Sequence, residues 1–167
     1  MLLPYQKILP TIGDHVFIAE TAAVIGDVVV GAESNIWFGC TVRGDVHEIR
    51  IGKRTNIQDN SVIHVTRNVS GTYIGDEVTI GHGAIIHACT IGHQAFVGMG
   101  AIILDEAVLE DQSMLAAGAL LTPGKRVPTG QLWGGSPARY MRDLTEEDLS
   151  FFPVSADNYV KLASAYL

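Results

Sequence analysis

Aliphatic residues recur every six positions along most of the chain. Ile12, Ile18, Val24, Val30, Ile36 and Val42 are six apart, and the series resumes at Ile51, Ile57 and Ile63, then at Ile74, Ile80 and Ile86. A last run takes in Ile91, Val97, Ile103, Leu109, Leu115, Leu121 and Val127, so all 19 positions are Ile, Val or Leu. A period of six matches neither a helix nor a plain alternating strand. It matches a short flat strand followed by a corner. Three hexads close one triangular coil, and coils stack at the strand spacing of about 4.8 Å. A single coil has no partner for its own anchors, so stacking supplies the core. The pattern therefore predicts an all-β solenoid, a parallel β-helix of hexapeptide repeats.

Two further regularities support it. Four residues past an anchor the side chain is small or β-branched, as at Ala22, Ser34, Cys40, Thr55, Ser61, Ala84, Ala95, Ala101 and Ser113. Glycine often follows the anchor directly, as at Gly13, Gly31, Gly52, Gly75, Gly81, Gly92 and Gly98, where it is expected to supply backbone angles closed to other residues. The repeat ends near Val127, which places the β-helix at residues 1–130. Residues 131–167 read as a turn-rich segment and a helical region packing on the prism, with turns at Gly134, Gly135, Ser136 and Pro137. Thr145 resembles an N-cap followed by Glu146, Glu147 and Asp148. Pro153 is expected to break the helix, and Ser155 to cap a second segment.

The irregularities all follow one kind of anchor. Val42 to Ile51 carries three extra residues, Ile63 to Ile74 five extra, and Ile86 to Ile91 is one short. Loops on a rigid scaffold are where function tends to sit. The residues directly after these anchors are Arg43, His64 and His87. His64 and His87 occupy one position on neighbouring coils, about 5 Å apart by the strand spacing, and two imidazoles so placed can share a metal ion at about 2.0–2.1 Å each. His82 follows an anchor of the second kind and stacks over Asp59, 23 residues earlier, on another face. A neighbouring prism would bring His82 against His64 and His87. This predicts a homotrimer with three interfacial metals, in keeping with closed cyclic symmetry. Arg43, Asp45 and Asp59 lie beside these columns and are candidates for subunit-interface ion pairs. His15, His47 and His93 read as ordinary surface or core histidines.

Composition narrows the class. Hydrophobic residues make up 47% and charged residues 17%, with 18 glycines and 7% aromatics, which suits thin aliphatic layers and many turns. A net charge of -7 argues against a nucleic-acid partner. Cys40 and Cys89 have no CxxC spacing and read as core packers rather than a disulfide. No segment is long and apolar enough to span a bilayer, and no leader is evident, so the expected location is cytoplasmic, with no membrane partner.

The segments Arg43-Gly44-Asp45, Asn56-Ile57-Gln58-Asp59, His64, Gly81-His82-Gly83 and His87 together resemble the γ-class carbonic anhydrases. So do Gly98-Met99-Gly100 and Gly134-Gly135-Ser136-Pro137-Ala138. The resemblance covers nearly the whole chain. It implies a left-handed β-helix, a hand that crossover physics alone would not have suggested. It also implies a homotrimer whose interfaces hold zinc (Fe2+ or Co2+ being the other candidates) on His64 and His87 of one subunit and His82 of the next. The implied reaction is reversible hydration of CO2 to bicarbonate by metal-bound hydroxide, formed because zinc lowers the pKa of its water to about 7. Gln58 would hydrogen-bond the metal-bound water, Asn56 would support the loop, and Tyr159 would correspond to a tyrosine near the site. The acidic loop of some relatives is missing: Val46 follows the Arg-Gly-Asp block, and residues 65–73 contain no Asp or Glu. Turnover is accordingly expected to be low. The rival readings are a hexapeptide acyltransferase with one histidine as general base, a metal-dependent thioesterase acting on acyl-CoA, and a non-catalytic trimer stapled by metal.

Overall fold

In the computed structural model, which describes residues 1–167, the chain winds as a left-handed parallel β-helix of about seven coils with one C-terminal helix. Each anchor column is a ladder in register. On the first face Ile12 pairs with Val30, Val30 with Ile51, Ile51 with Ile74, Ile74 with Ile91, Ile91 with Leu109, and Leu109 with Val127. The second face runs from Ile18 to Leu115 and continues to Trp133, one strand beyond Val127. The third runs from Val24 to Leu121, preceded by a strand at Leu2–Leu3. Most anchors are fully buried, and together they form one continuous core. Each buried aliphatic side chain contributes about 1.5–3 kcal/mol.

The corner positions explain the small residues. The Ser34 hydroxyl donates to the Gly52 carbonyl at 2.7 Å, Thr55 to Gly75 at 2.8 Å and Ser61 to Gly81 at 3.2 Å. A small donor at an inner corner thus satisfies a carbonyl of the next coil that would otherwise be buried unpaired. Cys40 does the same through its thiol, toward the Gln58 carbonyl at 3.1 Å. It and Cys89 are buried free thiols, and burial pushes Cys40 up to about 11.

The glycines that follow the anchors serve a different purpose from the one expected. Their φ angles are not positive; the left-handed residues lie three past the anchor, at His15, Glu33, Arg54, Glu77, Gln94 and Gln112 on the first corner. Glycine directly after the anchor instead allows coils to approach closely. A Cβ on Gly98 would lie 2.3 Å from the Ala117 amide nitrogen.

Strands Gln131–Gly134 and Arg139–Asp143 form an antiparallel pair that closes the C-terminal end. Helix α1 follows at Glu146–Ser164, with Thr145 as N-cap in a capping box with Asp148. The helix does not break at Pro153, and Ser155 caps nothing. An interior proline costs about 3 kcal/mol, offset here by burial of Phe152, Ala156 and Ala163 against the second face. Phe152 stacks on Phe96, and Arg54 ties the helix down through Asp157 at 3.1 Å. No helix is long and apolar enough to cross a membrane.

Candidate metal centre

Strands Val62–His64 and Ile85–His87 are neighbours on the third face, with His87 directly opposite His64. Ile63 and Ile86 point into the core, so the pleat turns the next side chain outward on both coils. The two imidazole centroids are 5.3 Å apart, and His64 Nδ1 lies 3.3 Å from His87 Nε2.

The outer ring nitrogens are tied to carboxylates. His64 Nε2 is 3.0 Å from Asp45 Oδ1, and Asp45 also accepts from Arg43. His87 Nδ1 is 2.7 Å from Asp105 Oδ1, and the Thr66 hydroxyl donates to Asp105 Oδ2 at 2.5 Å. Burial works to raise both carboxyls. It is outweighed at Asp45 by hydrogen bonds from His64 and Arg43, and at Asp105 by those from Thr66 and His87, so both sit below the usual carboxylate range. Ionised carboxylates accept only. Each ring therefore carries a proton on the outer nitrogen, by the logic of the hydrogen-bond network. The inner nitrogens, His64 Nδ1 and His87 Nε2, face each other.

That arrangement fits a metal ion. Two nitrogens at about 2.0–2.1 Å from one tetrahedral centre stand about 3.3–3.4 Å apart, and 3.3 Å is the spacing found. Carboxylates behind ligating imidazoles are the usual device for fixing tautomer and orientation. No group of three or more His, Cys, Asp or Glu side chains that could hold a metal ion converges within one chain.

His82 sits on the second corner, half-exposed, with Nδ1 2.9 Å from Asp59 Oδ2. Gln58 and Asn56 lie next to it on the second face, both buried, with Gln58 Nε2 donating to Asn56 Oδ1 at 3.0 Å. Tyr159 reaches this face from α1 and packs edge-on against Trp37 at 5.6 Å. Burial, with the charge of Asp59 adding to it, pushes its phenol up. The nine candidate residues thus form two clusters: Arg43, Asp45, His64 and His87 on one, Asn56, Gln58, Asp59, His82 and Tyr159 on the other. Arg43 and Asp45 pair within the chain.

Asp105 and Thr66 escaped the sequence reading. Asp105 lies 18 residues past His87, but this coil is one residue short, so Ile86 pairs with Ile103 and Asp105 falls one position off the His87 column. Thr66 lies in the insertion and carries no periodic signal. Glu48 is engaged by the Tyr73 hydroxyl at 3.0 Å.

No family-level sequence profile matches the chain. A carbonic anhydrase of Geobacillus kaustophilus is 41% identical over 166 residues, covering 99% of this chain and 91% of that one. The chain belongs to the γ-class carbonic anhydrase family. Gamma carbonic anhydrase 1, mitochondrial, of Arabidopsis thaliana is 50% identical over 162 residues; the match takes in 94% of this chain but only 59% of the plant protein's length. Among solved structures, a hexapeptide transferase family protein from Anaplasma phagocytophilum superposes with a TM-score of 0.97 at 50% identity, over 100% of this chain and 98% of that one. The γ-class carbonic anhydrase architecture is therefore shared with proteins described as transferases.

Proposed function

We propose that this γ-class carbonic anhydrase family member hydrates CO2 reversibly to bicarbonate as a homotrimer, with a zinc ion held by His64 and His87 of one chain and His82 of a neighbouring copy. The observation that carries the proposal is the inward-facing nitrogen pair at 3.3 Å, backed on both sides by carboxylates. A bound zinc ion supplies the Lewis acidity that makes a nucleophile of water near neutral pH. Asp45 and Asp105 keep the imidazoles oriented. Gln58, its Nε2 committed to Asn56, offers Oε1 as an acceptor for an O–H of the reacting molecule. An acyltransferase needs one histidine as general base; it has no use for two imidazoles stacked with their inner nitrogens face to face and a carboxylate behind each.

The test is stopped-flow CO2 hydration by protein loaded separately with zinc, iron and cobalt, beside acyl-CoA turnover by the same samples. Hydration that depends on the metal supports the reading. Metal-loaded protein that turns over acyl-CoA and leaves CO2 untouched would replace it.

Asp105→Asn is expected to weaken zinc binding about 10–100-fold, the usual effect of losing a carboxylate behind a ligating histidine. Competition against a chromogenic chelator measures it. Unchanged affinity would mean that Asp105 does not orient His87.

A further inference from the structure

We infer that Thr79 and Ser155 are positioning residues for Gln58, fixing from the C-terminal helix which end of its amide is presented to the reaction. For its catalytic consequence this rests on the carbonic anhydrase reading; its structural content stands apart from it.

The chain of contacts is continuous. Gln58 Nε2 donates to Asn56 Oδ1 at 3.0 Å, and Asn56 Nδ2 lies 2.9 Å from Thr79 Oγ1 and 3.4 Å from the Val78 carbonyl. Thr79 Oγ1 lies 2.9 Å from Ser155 Oγ on α1. All four side chains are at least nine-tenths buried. Asn56 and Thr79 are in register on the second face, and α1 packs along that face.

The direction of each bond follows from what each atom can do. A carbonyl only accepts, so the Val78 oxygen requires the nitrogen end of Asn56. The Asn56 oxygen must then face Gln58, and Gln58 must donate through Nε2. That leaves Gln58 Oε1 as the end not committed to Asn56, available to accept an O–H. The Thr79 oxygen receives the stronger bond from Asn56 Nδ2, and it is held in turn by Ser155 Oγ through a bond in which either hydroxyl can donate. Without the Thr79 hydroxyl, Asn56 keeps only the long contact to Val78. Its amide, and with it that of Gln58, is then held less firmly in the orientation that presents an acceptor.

The experiment compares Thr79→Val, Thr79→Ser and Ser155→Ala with the wild type, each loaded with zinc. Thr79→Val is expected to lower kcat about 10-fold with KM held, in the range found for residues that orient others. Thr79→Ser, which keeps the hydroxyl, should restore most of it. The second readout is the 15N-labelled side-chain amide of Gln58, identified by the signal lost in Gln58→Glu. In the wild type and Thr79→Ser its two protons should be well separated and slow to exchange. In Thr79→Val and Ser155→Ala they should converge and exchange faster. Amide signals unmoved by Thr79→Val, or lost equally in Thr79→Ser, overturn the inference. If the wild type hydrates no CO2, the carbonic anhydrase reading falls, and the amide signals alone then sustain or overturn the positioning role.

Discussion

Replacing His82 with alanine is expected to cut bound zinc from about one ion per chain to under about a tenth, and CO2 hydration by about a thousandfold or more, since the Lewis acid leaves with its third ligand. His82 lies on a different corner of its own prism from His64 and His87 and contacts only Asp59 among its charged neighbours. Its loss matters to the metal only if another copy delivers it. Metal analysis and sedimentation on the same preparation read the outcome, with Asp59 left as a solvated carboxylate and little change in the fold of each prism. His93→Ala is the control: that ring is also exposed and lies 3.6 Å from Asp76, but it sits on the first corner. Full zinc content in the His82 variant would end the shared-site proposal.

Ile86→Ala is expected to destabilise the chain by about 2–5 kcal/mol, the range for truncating a fully buried aliphatic side chain. Ile86 is wholly inaccessible and lies between Ile63 and Ile103 in the third column. Coils above and below are held by their own ladders, so the cavity has little freedom to collapse. The cavity also opens directly beneath His87, and the pairing of His87 with His64 depends on the register of these same strands. Chemical denaturation measures the loss, and zinc affinity should fall along with it. Ile102→Ala, one coil on and on the outward side of its strand, should cost far less because that side chain is only half-buried. Equal losses in the two variants would contradict the column picture.

The three anchor columns were legible because period six leaves one inward position per strand, and every such position had to be aliphatic. The histidine pair was legible for the same reason, as an outward residue repeating at the coil spacing with its insertion subtracted. The role of the glycines was not, because close approach between coils and an unusual φ leave the same residue type behind. Pro153 misled for a related reason. Local propensity reports the cost of an interior proline, whereas Phe152, Ala156 and Ala163 gain their stabilisation only against a face that is distant in sequence. Ser155 looked like a helix cap because serine at a helix start is common; its partner, Thr79, is 76 residues away. Thr66 and Asp105 show the limit from the other side. A contact made from an insertion to a corner has no period, and the coil that is one residue short takes Asp105 off the His87 column.

A parallel solenoid is a template for its own extension, since each finished coil exposes the hydrogen-bonding row the next would use. This chain interrupts that row at its C-terminal end, whereas the Leu2–Leu3 strand at the other end adds one more parallel strand to the third face. At the far end, Arg139–Asp143 turns back antiparallel, with both of its arginines and its aspartate exposed. The reversal offers an incoming parallel strand the wrong polarity and a charged rim, so the second face has no row on which another parallel coil could continue at this end.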